Sequence, residues 1–534
     1  MKIFTIDDFK AFVEVRGNWN AVYLSDQHAH FFLSWDWLSG WLSMVHEPWL
    51  ILAAKPADRD TYVAFFPLKL VLNERSGDRL QCEVCMAGNS MADYTGLICS
   101  PGYEEEAITA FSQHIQNELK WSTLNMENVL KASSRANFFL RTFSESEFEF
   151  KQIRIRHDES NTDHYVAPYV LLEDSWNDYL QHSVSSNTRQ KIRRFLRKVN
   201  DSDEFHISET DADNLESHIE ILLNFWQTKW RDKKGDDCDV IMDYVREILV
   251  HCFENNCLHF PVLWQDTRPL GAIANFVDRR RKATLFFIAG RDETIKSPPP
   301  GLVLHAFAIR HAIQNGFKVY DFLRGNESYK YSFGAKERKI SHIVVDSRNK
   351  PTPELDSRVV PLAFQMAAQY HRENKLFKAE QVYRQILESQ PNYSNAIYGL
   401  GALMAQKGDY QVAKRLFTTL TKAQPDSARA WFSLGNLYQS QKQYPESVEA
   451  YCQALMLQPN QAPVYNNLGQ AYQQQGNVEK AIACYRKAIE LQPDCTEAKV
   501  NQANALYIQG KLDANKRAFY AQTSQIKITT KSHE

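Results

Sequence analysis

The sequence contains no apolar run that approaches the roughly 18 residues of a membrane-spanning helix. Asp7 and Asp8 interrupt the apolar character of the first segment, which therefore lacks the core of a secretory signal peptide. Net charge is also low. At -2, the chain as a whole attracts neither nucleic acid nor a membrane surface, so any such preference must be local. We expect a cytoplasmic protein.

The nine cysteines form no regular framework, which favours a reducing compartment over a disulfide-rich secreted protein. Two places offer ligands for a zinc site: the pair Cys82 and Cys85, and the segment 251–259 with two histidines and two cysteines. Both have the pattern of β-structure with buried thiols. We therefore expect core cysteines and no metal.

The last third of the chain repeats itself with a fixed period. Prolines recur 34 residues apart, at Pro391, Pro425, Pro459 and Pro493, each unit also carrying recurrent glycine and aromatic positions. Glycine allows two helices to pack closely, and proline ends each second helix. The pattern resembles the tetratricopeptide repeat. That resemblance implies an all-α solenoid over 361–521, with four units from near 361, a degenerate fifth marked by Asn515, and a surface for a protein partner.

Residues 1–350 show a similar order of predicted elements twice. From about residue 259, three strands with polar turns precede a helix from about 301 to 314 and two further strands. The first half repeats this order more faintly, with strands at "WLILAA", "TYVAFFPLKLVL", "DYTGLIC" and "STLNM". This predicts an α/β (or α+β) lobe over 1–160 and a second over 161–350, so that the whole chain is multidomain.

Five stretches in this region carry a family resemblance. They are "FFLSWDWLSGW", "ADYTGLICSPG", "SSNTRQKIRRFLRKV", "SPPPGLVLHAFAIRHAI" and "VYDFLRGNESYKYSFG". Together they resemble the two-lobed acyltransferases of the Gcn5-related (GNAT) group, in particular the BioF2-like or CelD-like N-acyltransferases, which are akin to the Fem transferases. The resemblance implies transfer of an acyl group from acetyl-CoA or another acyl-CoA to an amine acceptor, such as an amino sugar, an amino acid or a polysaccharide precursor.

The cofactor is expected at the start of the helix near residue 301. Three prolines stiffen the approach to this helix, and its first turn contains no acid, whereas the matching helix of the first half begins with three glutamates. Unpaired amides and a partial positive charge make such a helix start suitable for a diphosphate. The resemblance implies that the cofactor is held by Ala289, Gly290, Gly301, Leu302 and Val303. The glycine-rich loop of the family is absent, and a stiff turn before an ordinary helix is the alternative.

Candidates for the chemistry follow the strand after this helix. Acyl transfer needs a deprotonated amine and a proton for the leaving thiolate. The proposed catalytic set is Asp321 as first choice for the base, Glu327 as second choice, Tyr329 as proton donor and Lys330 as a holder of an anionic group. Each has a structural alternative, as a turn cap or a core residue. No Ser-His-Asp or Cys-His arrangement stands out, so no covalent intermediate is expected.

The acceptor is expected in a cleft between the lobes. The residues expected to line it are Trp35, Asp93, Tyr94, Asn187, Arg189, Trp226 and Arg324. The segment 189–198 holds six cations and no acid, with apolar residues at helical spacing. Its positive face could meet a phosphate of the cofactor or acceptor, RNA or an anionic membrane, or it could simply be solvated.

Two other functions remain open. A Fem-like enzyme would take an aminoacyl-tRNA as its donor, the one setting in which a nucleic-acid partner is expected. Alternatively, the acyltransferase fold has lost catalysis, and the chain is a scaffold that acts through its repeats.

Overall fold

The computed structural model describes residues 1–74, 79–88, 91–131, 135–153, 162–235, 237–348 and 354–510. They divide into two compact units, residues 1–73 with 81–353 and residues 74–80 with 354–534. The first is a mixed α/β unit and the second is helical, as the sequence predicted. Among the described residues, no helix is both long and apolar enough to cross a membrane. Asn515, predicted to mark a degenerate last repeat, lies outside the described residues.

The strands within the described residues are β1 Lys2–Ile6, β2 Trp49–Lys55, β3 Ala64–Glu74, β4 Leu80–Met86, β5 Ile98–Cys99, β6 Thr123–Leu130, β7 Phe148–Gln152, β8 Val166–Leu171, β9 Phe205–Ser208, β10 Leu258–His259, β11 Val262–Gln265, β12 Arg268–Asp278, β13 Ala283–Arg291, β14 Val319–Asp321 and β15 Lys336–Ser347. They form one sheet in the order β1-β2-β3-β4-β6-β15-β8-β14-β13-β12-β11-β9, with β5, β7 and β10 pairing beside this path. We call β1–β7 the first half and β8–β15 the second half.

The helices of the first unit are α1 Phe9–Glu14, α2 Arg16–Ser25, α3 Trp35–Met44, α4 Glu104–Glu118, α5 Arg135–Leu140, α6 Trp176–His182, α7 Ser186–Asn200, α8 Leu215–Lys234, α9 Asp237–Glu254, α10 Pro300–Gln314 and α11 Ser328–Tyr331. Helix α10 packs on β12 and β13, and α8 also packs on these two strands. The large apolar side chains on both faces of the sheet are therefore buried.

The two halves share one local arrangement. In the first half, β4 and β6 are parallel neighbours on either side of α4 in the chain. In the second half, β13 and β14 are parallel neighbours on either side of α10. A parallel pair needs such a crossover helix, which explains why the sequence showed a strand, a helix and a strand at both places.

Strand β15 joins the halves into one sheet. Its first part, Lys336–Lys339, pairs with β8 of the second half, and its later part, from Ile340, pairs with β6 of the first half. β7 also pairs with this later part. The sequence predicted only a short strand at "ISHIVV" and did not indicate that it crosses between the halves.

The predicted strand at "DYTGLIC" is wrong in most of its length. Only Ile98–Cys99 is a strand, pairing with β3, while Thr95 makes a single bridge to Val129. The intervening chain instead places Tyr94 in the core of the first unit, where its side chain is buried. Short apolar runs show burial without distinguishing a strand from a packed loop.

The second unit consists of antiparallel helix pairs. Its helices are α12 Val360–Arg372, α13 Leu376–Ser389, α14 Ser394–Gln406, α15 Tyr410–Ala423, α16 Ala428–Ser440, α17 Tyr444–Leu457, α18 Ala462–Gln474, α19 Val478–Leu491 and α20 Thr496–Ile508. Gly435 shows why the repeat needs glycine. A Cβ atom there would lie 2.5 Å from the ring of Tyr451 on the partner helix, closer than side chains can approach.

Candidate functional site

A cavity of about 680 Å³ lies between the two halves of the first unit. Its size is in the range of small-molecule sites. Strands β6, β13, β14 and β15 contribute to its walls, together with the loop around Tyr94 and the segment before α3. Its ionisable lining residues are His28, His30, Tyr94, Lys131, Arg135, Asp278, Arg281, Asp321, Glu337, Arg338 and Lys339.

Asp321 occupies the end of β14 and faces this cavity. Asp321 and Leu285 form the last residue pair between the parallel strands β14 and β13. Beyond this pair, β14 ends and β13 continues to Arg291. The end of a strand in a parallel arrangement is a common position for groups that act on a ligand. The carboxyl group is 2% exposed.

Two side chains hold the Asp321 carboxyl group. The hydroxyl of Tyr94 donates to Oδ1 at 2.9 Å, and Arg338 donates to Oδ2 at 2.5 Å. The Arg338 guanidinium also lies over the ring of Tyr169, 3.9 Å from its centroid. Burial raises the pKa of Asp321, and the charge of Arg338 opposes that rise. The pKa of the Asp321 carboxyl group is therefore higher than that of an exposed aspartate.

A second contact between the halves lies beside it. The Nε of Arg324 donates to Asp93 Oδ1 at 2.6 Å, and its Nη1 donates to Asn128 Oδ1 at 2.8 Å. Asp93 and Asn128 belong to the first half and Arg324 to the second. The geometry therefore makes Arg324 and Asp93 partners of each other, so that they position the loops near Asp321.

The turn between β12 and β13 lines another part of the cavity. Asp278 Oδ2 accepts from the hydroxyl of Tyr23 at 2.5 Å, and burial raises the pKa of this carboxyl group. The Arg281 guanidinium donates to the carbonyl of Tyr23 at 2.9 Å but forms no ion pair with a described carboxylate. Arg281 is thus a cation of the cavity wall whose charge is only partly compensated.

A buried ion pair supports the first-half wall. Both terminal nitrogens of Arg135 donate to the carboxylate of Asp26, at 2.8 and 2.9 Å. Asp26 also accepts from the amide of Cys99. Nearby, desolvation lowers the pKa of His30 to about 3, so this imidazole is neutral at physiological pH.

The start of α10 has some properties of an anion site. Pro299 caps the helix and Pro300 opens it, and the amides of Gly301 and Leu302 meet no acceptor among the described residues. The Arg291 guanidinium lies so close that a Cβ atom at Gly301 would come within 2.6 Å of its Nη1. Lys198 of α7 contacts the segment just before α10, where it donates to the carbonyl of Ser297 at 3.4 Å.

The matching helix of the first half is closed to an anion. Glu104, in the first turn of α4, accepts from the amide of Gly102 at 3.0 Å and lies 3.6 Å from Arg135. Its carboxylate occupies the region that a phosphate would need. The contrast between α4 and α10, expected from their sequences, is thus present in their contacts.

The other predicted cofactor residues have structural explanations. A Cβ atom on Gly290 would lie 2.6 Å from the carbonyl of Leu222, so this glycine permits α8 to pack on β13. Ala289 is exposed, and the amide of Val303 donates to Pro299 within the helix start. None of the five predicted cofactor residues lines the cavity between the halves.

Trp35 and Trp226, which were expected to contact the acceptor, pack within the first unit. Trp35 is 5% exposed and stacks on Phe12 with ring centroids 4.1 Å apart, so it belongs to the core. Trp226 packs against the cluster around α8, near Trp230. Neither lines the cavity. Aromatic residues in a short motif are more often core than ligand contacts, because they bury the most apolar area.

Asn187 and Arg189 also lie away from the cavity. Asn187 is exposed near the start of α7. Arg189 donates to the carbonyls of Leu180 and Gln181, which end α6, so its guanidinium acts as a helix cap. The following cations of α7, at 191–198, are exposed and form no ion pair with a described residue.

Three of the predicted catalytic residues shape the loop after β14. Lys330 is 2% exposed and donates to the carbonyls of Arg324 and Gly325, at 2.7 and 2.9 Å, while Glu327 pairs with its ammonium at 2.9 Å. Tyr329 is 40% exposed, with its ring 5.5 Å from that of His305. None of the three lines the cavity. Lys330, with its donors engaged by carbonyls, holds the chain and cannot hold a substrate.

Several cavity residues were missed in the sequence. Arg338 lies in a charged stretch, "KERK", to which no role was assigned from the sequence. Asp278 and Arg281 lie in "DRRRK", which was taken for a polar turn. The excess of charge in that turn was the available signal, since a short turn needs polarity but not four charges of one sign.

Models of protein families match two regions of the chain. Residues 186–331 match the family model of an acetyltransferase (GNAT) domain. Models of the tetratricopeptide repeat match residues 371–437, 435–476 and 462–495. Along the chain, the match to the acetyltransferase model thus precedes the matches to the tetratricopeptide repeat. No curated protein matches the chain.

Solved structures match parts of the chain at low identity. FemX is 10% identical, with 64% of this chain and 97% of that chain covered and a TM-score of 0.47. MamA from Desulfovibrio magneticus RS-1 is 20% identical, covering 33% of this chain and 97% of that one, with a TM-score of 0.29. PilF of Pseudomonas aeruginosa is 20% identical over 30% of this chain and 73% of that one, with a TM-score of 0.28.

Proposed function

We propose that the chain is an N-acyltransferase that moves an acyl group from an acyl-CoA thioester to the amine of a small acceptor bound between the halves. The observation that carries the proposal is the position of Asp321, which ends a strand of the matched GNAT region and faces the cavity. The match to the acetyltransferase model independently supports acyl transfer.

Asp321 is proposed as the base. The amine nitrogen attacks the thioester carbonyl carbon and loses one proton to the carboxylate. The C–S bond then breaks, and the proton taken by Asp321 passes to the leaving thiolate, so that the amide and the free thiol are the products. A carboxyl group with a raised pKa is better matched to this transfer than an ordinary aspartate. Tyr94 and Arg338 fix the orientation of the carboxyl group and limit how far its pKa rises.

The cofactor is proposed to lie at the start of α10. When bound, acyl-CoA supplies the activated acyl group. Its diphosphate would meet the unpaired amides of Gly301 and Leu302. The Arg291 guanidinium beside them, which pairs with Glu293 at 3.1 Å, would add a charge-assisted contact. Lys198 offers a further cation near this helix start. Arg291, which the sequence did not indicate, replaces part of what the missing glycine-rich loop would provide.

The acceptor is proposed to carry an acidic group besides its amine. Arg281 and Lys131 line the cavity and form no ion pair with a carboxylate among the described residues, although the charge of Arg281 acts on the nearby Asp278. Asp321 lines the same cavity. An amine that also carries a carboxylate or phosphate, such as an amino acid or an acidic amino sugar, matches this combination of a carboxyl group and two cations.

The direct test is acetyl-CoA turnover with a panel of amines, with and without a carboxylate or phosphate. We expect Asp321→Asn to lower kcat about 10²–10⁴-fold, the usual contribution of a general base. The matched control is Asp174→Asn, an exposed carboxylate of the same half paired with Lys318, which should leave kcat unchanged. Full activity in Asp321→Asn would eliminate the assigned base.

The two other functions give different results. A Fem-like donor predicts that charged tRNA, and not coenzyme A, binds and is consumed. A scaffold predicts that coenzyme A leaves the unfolding midpoint unchanged, whereas a cofactor at 100 times its Kd adds about 2.7 kcal/mol. The repeats are proposed to bind a protein partner under all three functions.

A further inference from the structure

A second group of ligating side chains lies on the second half, away from the cavity. His259 is in β10, His311 is in the last turn of α10, and Glu209 follows β9. One ligand atom from each of the three residues lies within 4.8 Å of those of the other two. The Nε2 of His259 is 3.9 Å from Oε1 of Glu209. Three separate elements thus converge on one point.

The buried member of this group lacks partners. His259 is 6% exposed, and neither of its ring nitrogens has a hydrogen-bond partner among the described residues. Most buried polar atoms in proteins are paired, so an imidazole with both nitrogens unpaired requires an explanation. Desolvation lowers the pKa of His259 to about 3, and the ring is therefore neutral, the form that binds metals.

We propose that Glu209, His259 and His311 bind a divalent transition-metal ion, with zinc as the best fit. Two imidazole nitrogens and one carboxylate oxygen are ligands that zinc accepts, and a water would complete a tetrahedral set. The six-oxygen shells that magnesium and calcium prefer are not matched by two imidazoles.

The electrostatic surroundings favour a cation. Glu209 is exposed and brings a negative charge to the site, and its only ion-pair partner among the described residues is His259. His311 lies in the last turn of α10, where the helix dipole places partial negative charge. Arg279 opposes this, since its charge contributes to the lowered pKa of His311. A second carboxylate is absent from the cluster, so binding should be moderate in strength.

Coordination requires one imidazole to turn. The rings of His259 and His311 are stacked with centroids 3.9 Å apart and planes within 5°, so their lone pairs run side by side. Ligands of one zinc ion stand about 3.4 Å apart, each about 2.0–2.2 Å from the metal. His311 is half-buried whereas His259 is buried, so His311 is the ring that we expect to turn. The proposal therefore predicts that metal breaks the stack.

This group differs from the zinc site weighed in the sequence. The Nε2 of His251 contacts the carbonyl of Asp36 at 2.8 Å, and Cys252 and Cys257 are buried thiols. Among the described residues, the only group of three potential ligands is that of Glu209, His259 and His311. From the sequence, His259 was weighed only together with the cysteines, and neither Glu209 nor His311 was considered.

The test uses the full chain, purified without a histidine tag, stripped with a chelator and titrated with Zn²⁺ by calorimetry. We expect one equivalent to bind and to raise the unfolding midpoint. Glu209→Gln and His311→Asn, both at accessible positions, should weaken binding at least ten-fold. His206→Asn is the control, because His206 belongs to the same half and stacks on Trp264 instead.

Cobalt separates this site from the cysteines. The chain has nine of them, any of which could take up zinc in solution. Co²⁺ held by nitrogen and oxygen gives visible bands without the intense near-ultraviolet bands of thiolate ligation, and we expect the former. Thiolate bands, or unchanged zinc affinity in both Glu209→Gln and His311→Asn, would overturn the proposal, as would a failure of Zn²⁺ to bind.

Discussion

The hydroxyl of Tyr94 donates a hydrogen bond to Asp321 Oδ1 at 2.9 Å across 227 residues of sequence. The donor belongs to the first half and the acceptor ends a strand of the second half. Both side chains are buried, so this hydrogen bond is shielded from water. A hydrogen bond to a charged group is strong in such surroundings. The proposed base is therefore held by the half of the unit that does not carry it.

The pH dependence of kcat should reflect the contacts that Tyr94 and Arg338 make with Asp321. Because burial raises the pKa of Asp321, this base gains its proton at a higher pH than an exposed aspartate does. On the acid side of the pH profile, kcat should therefore begin to fall above the pH at which an exposed aspartate titrates. Arg338 lowers this pKa, so Arg338→Gln should move the acid limb to still higher pH. The measurement is kcat against pH for both proteins. A limb that stays in place in Arg338→Gln would exclude Asp321 as the titrating base.

Removal of the Tyr94 hydroxyl should also raise the pKa of Asp321, by less than the removal of the Arg338 charge. The hydrogen bond from Tyr94 also lowers the pKa of Asp321, and Tyr94→Phe keeps the buried ring. We expect a lower kcat with little change in KM for acyl-CoA, measured by steady-state kinetics. A change confined to KM for the cofactor would show that Tyr94 contacts the donor instead.

The cofactor site predicts a specific effect of a single methyl group. In Gly301→Ala, the new Cβ atom lies 2.6 Å from Arg291 Nη1 and displaces the guanidinium from the amides. KM for acyl-CoA should rise about ten-fold, the loss expected for one charge-assisted hydrogen bond. Gly17→Ala is the control, because nothing lies within 4 Å of a Cβ atom there. Equal KM values in both variants would move the cofactor away from α10.

The buried ion pair of the first half predicts a large loss of stability. Asp26→Asn leaves the Arg135 guanidinium buried beside a neutral amide, which should cost about 3–5 kcal/mol in the free energy of unfolding. Asp60→Asn breaks the exposed pair with Lys55 and should cost about 0–1 kcal/mol. Urea unfolding of both variants measures the difference. Similar values would mean that the Asp26 pair is hydrated.

The repeats offer a test of their packing. Gly435→Ala places a Cβ atom 2.5 Å from the Tyr451 ring, so α16 and α17 must separate. We expect a loss of about 1–3 kcal/mol, as for other overpacked cores. Helical circular dichroism during thermal unfolding should show an earlier transition. An unchanged transition would mean that the ring of Tyr451 moves aside without cost.

Local patterns in the sequence predicted much of the fold. The recurring prolines and glycines define repeat units because each acts within one helix pair. A side chain at Gly435, for example, would meet Tyr451 of the next helix in the chain. The start of α10 was predicted from Pro300 and the absence of acids, which act within one turn. Asp321 could be chosen because a strand end after a crossover helix is recognisable in one chain.

Distant pairings could not be predicted. Arg338 reaches Asp321 only because β15 runs beside β8, and no local pattern encodes that register. Gly290 was predicted to contact the cofactor. The sequence indicates a close approach at this glycine but does not identify the neighbouring element, which is α8. Lys330 was predicted to hold an anionic group of a substrate. The sequence does not show that its ammonium is buried against carbonyls of its own loop.

Strand β15 has a consequence for how the first unit is made. The ribosome releases Lys336–Ser347 only after both halves have been synthesised, yet this segment pairs with β6 as well as β8. Until then, β6 presents an unpaired edge, which exposes the nascent chain to wrong pairing with other strands. Completion of the first half therefore waits for the end of the second, and a stop before residue 336 would leave neither half properly closed.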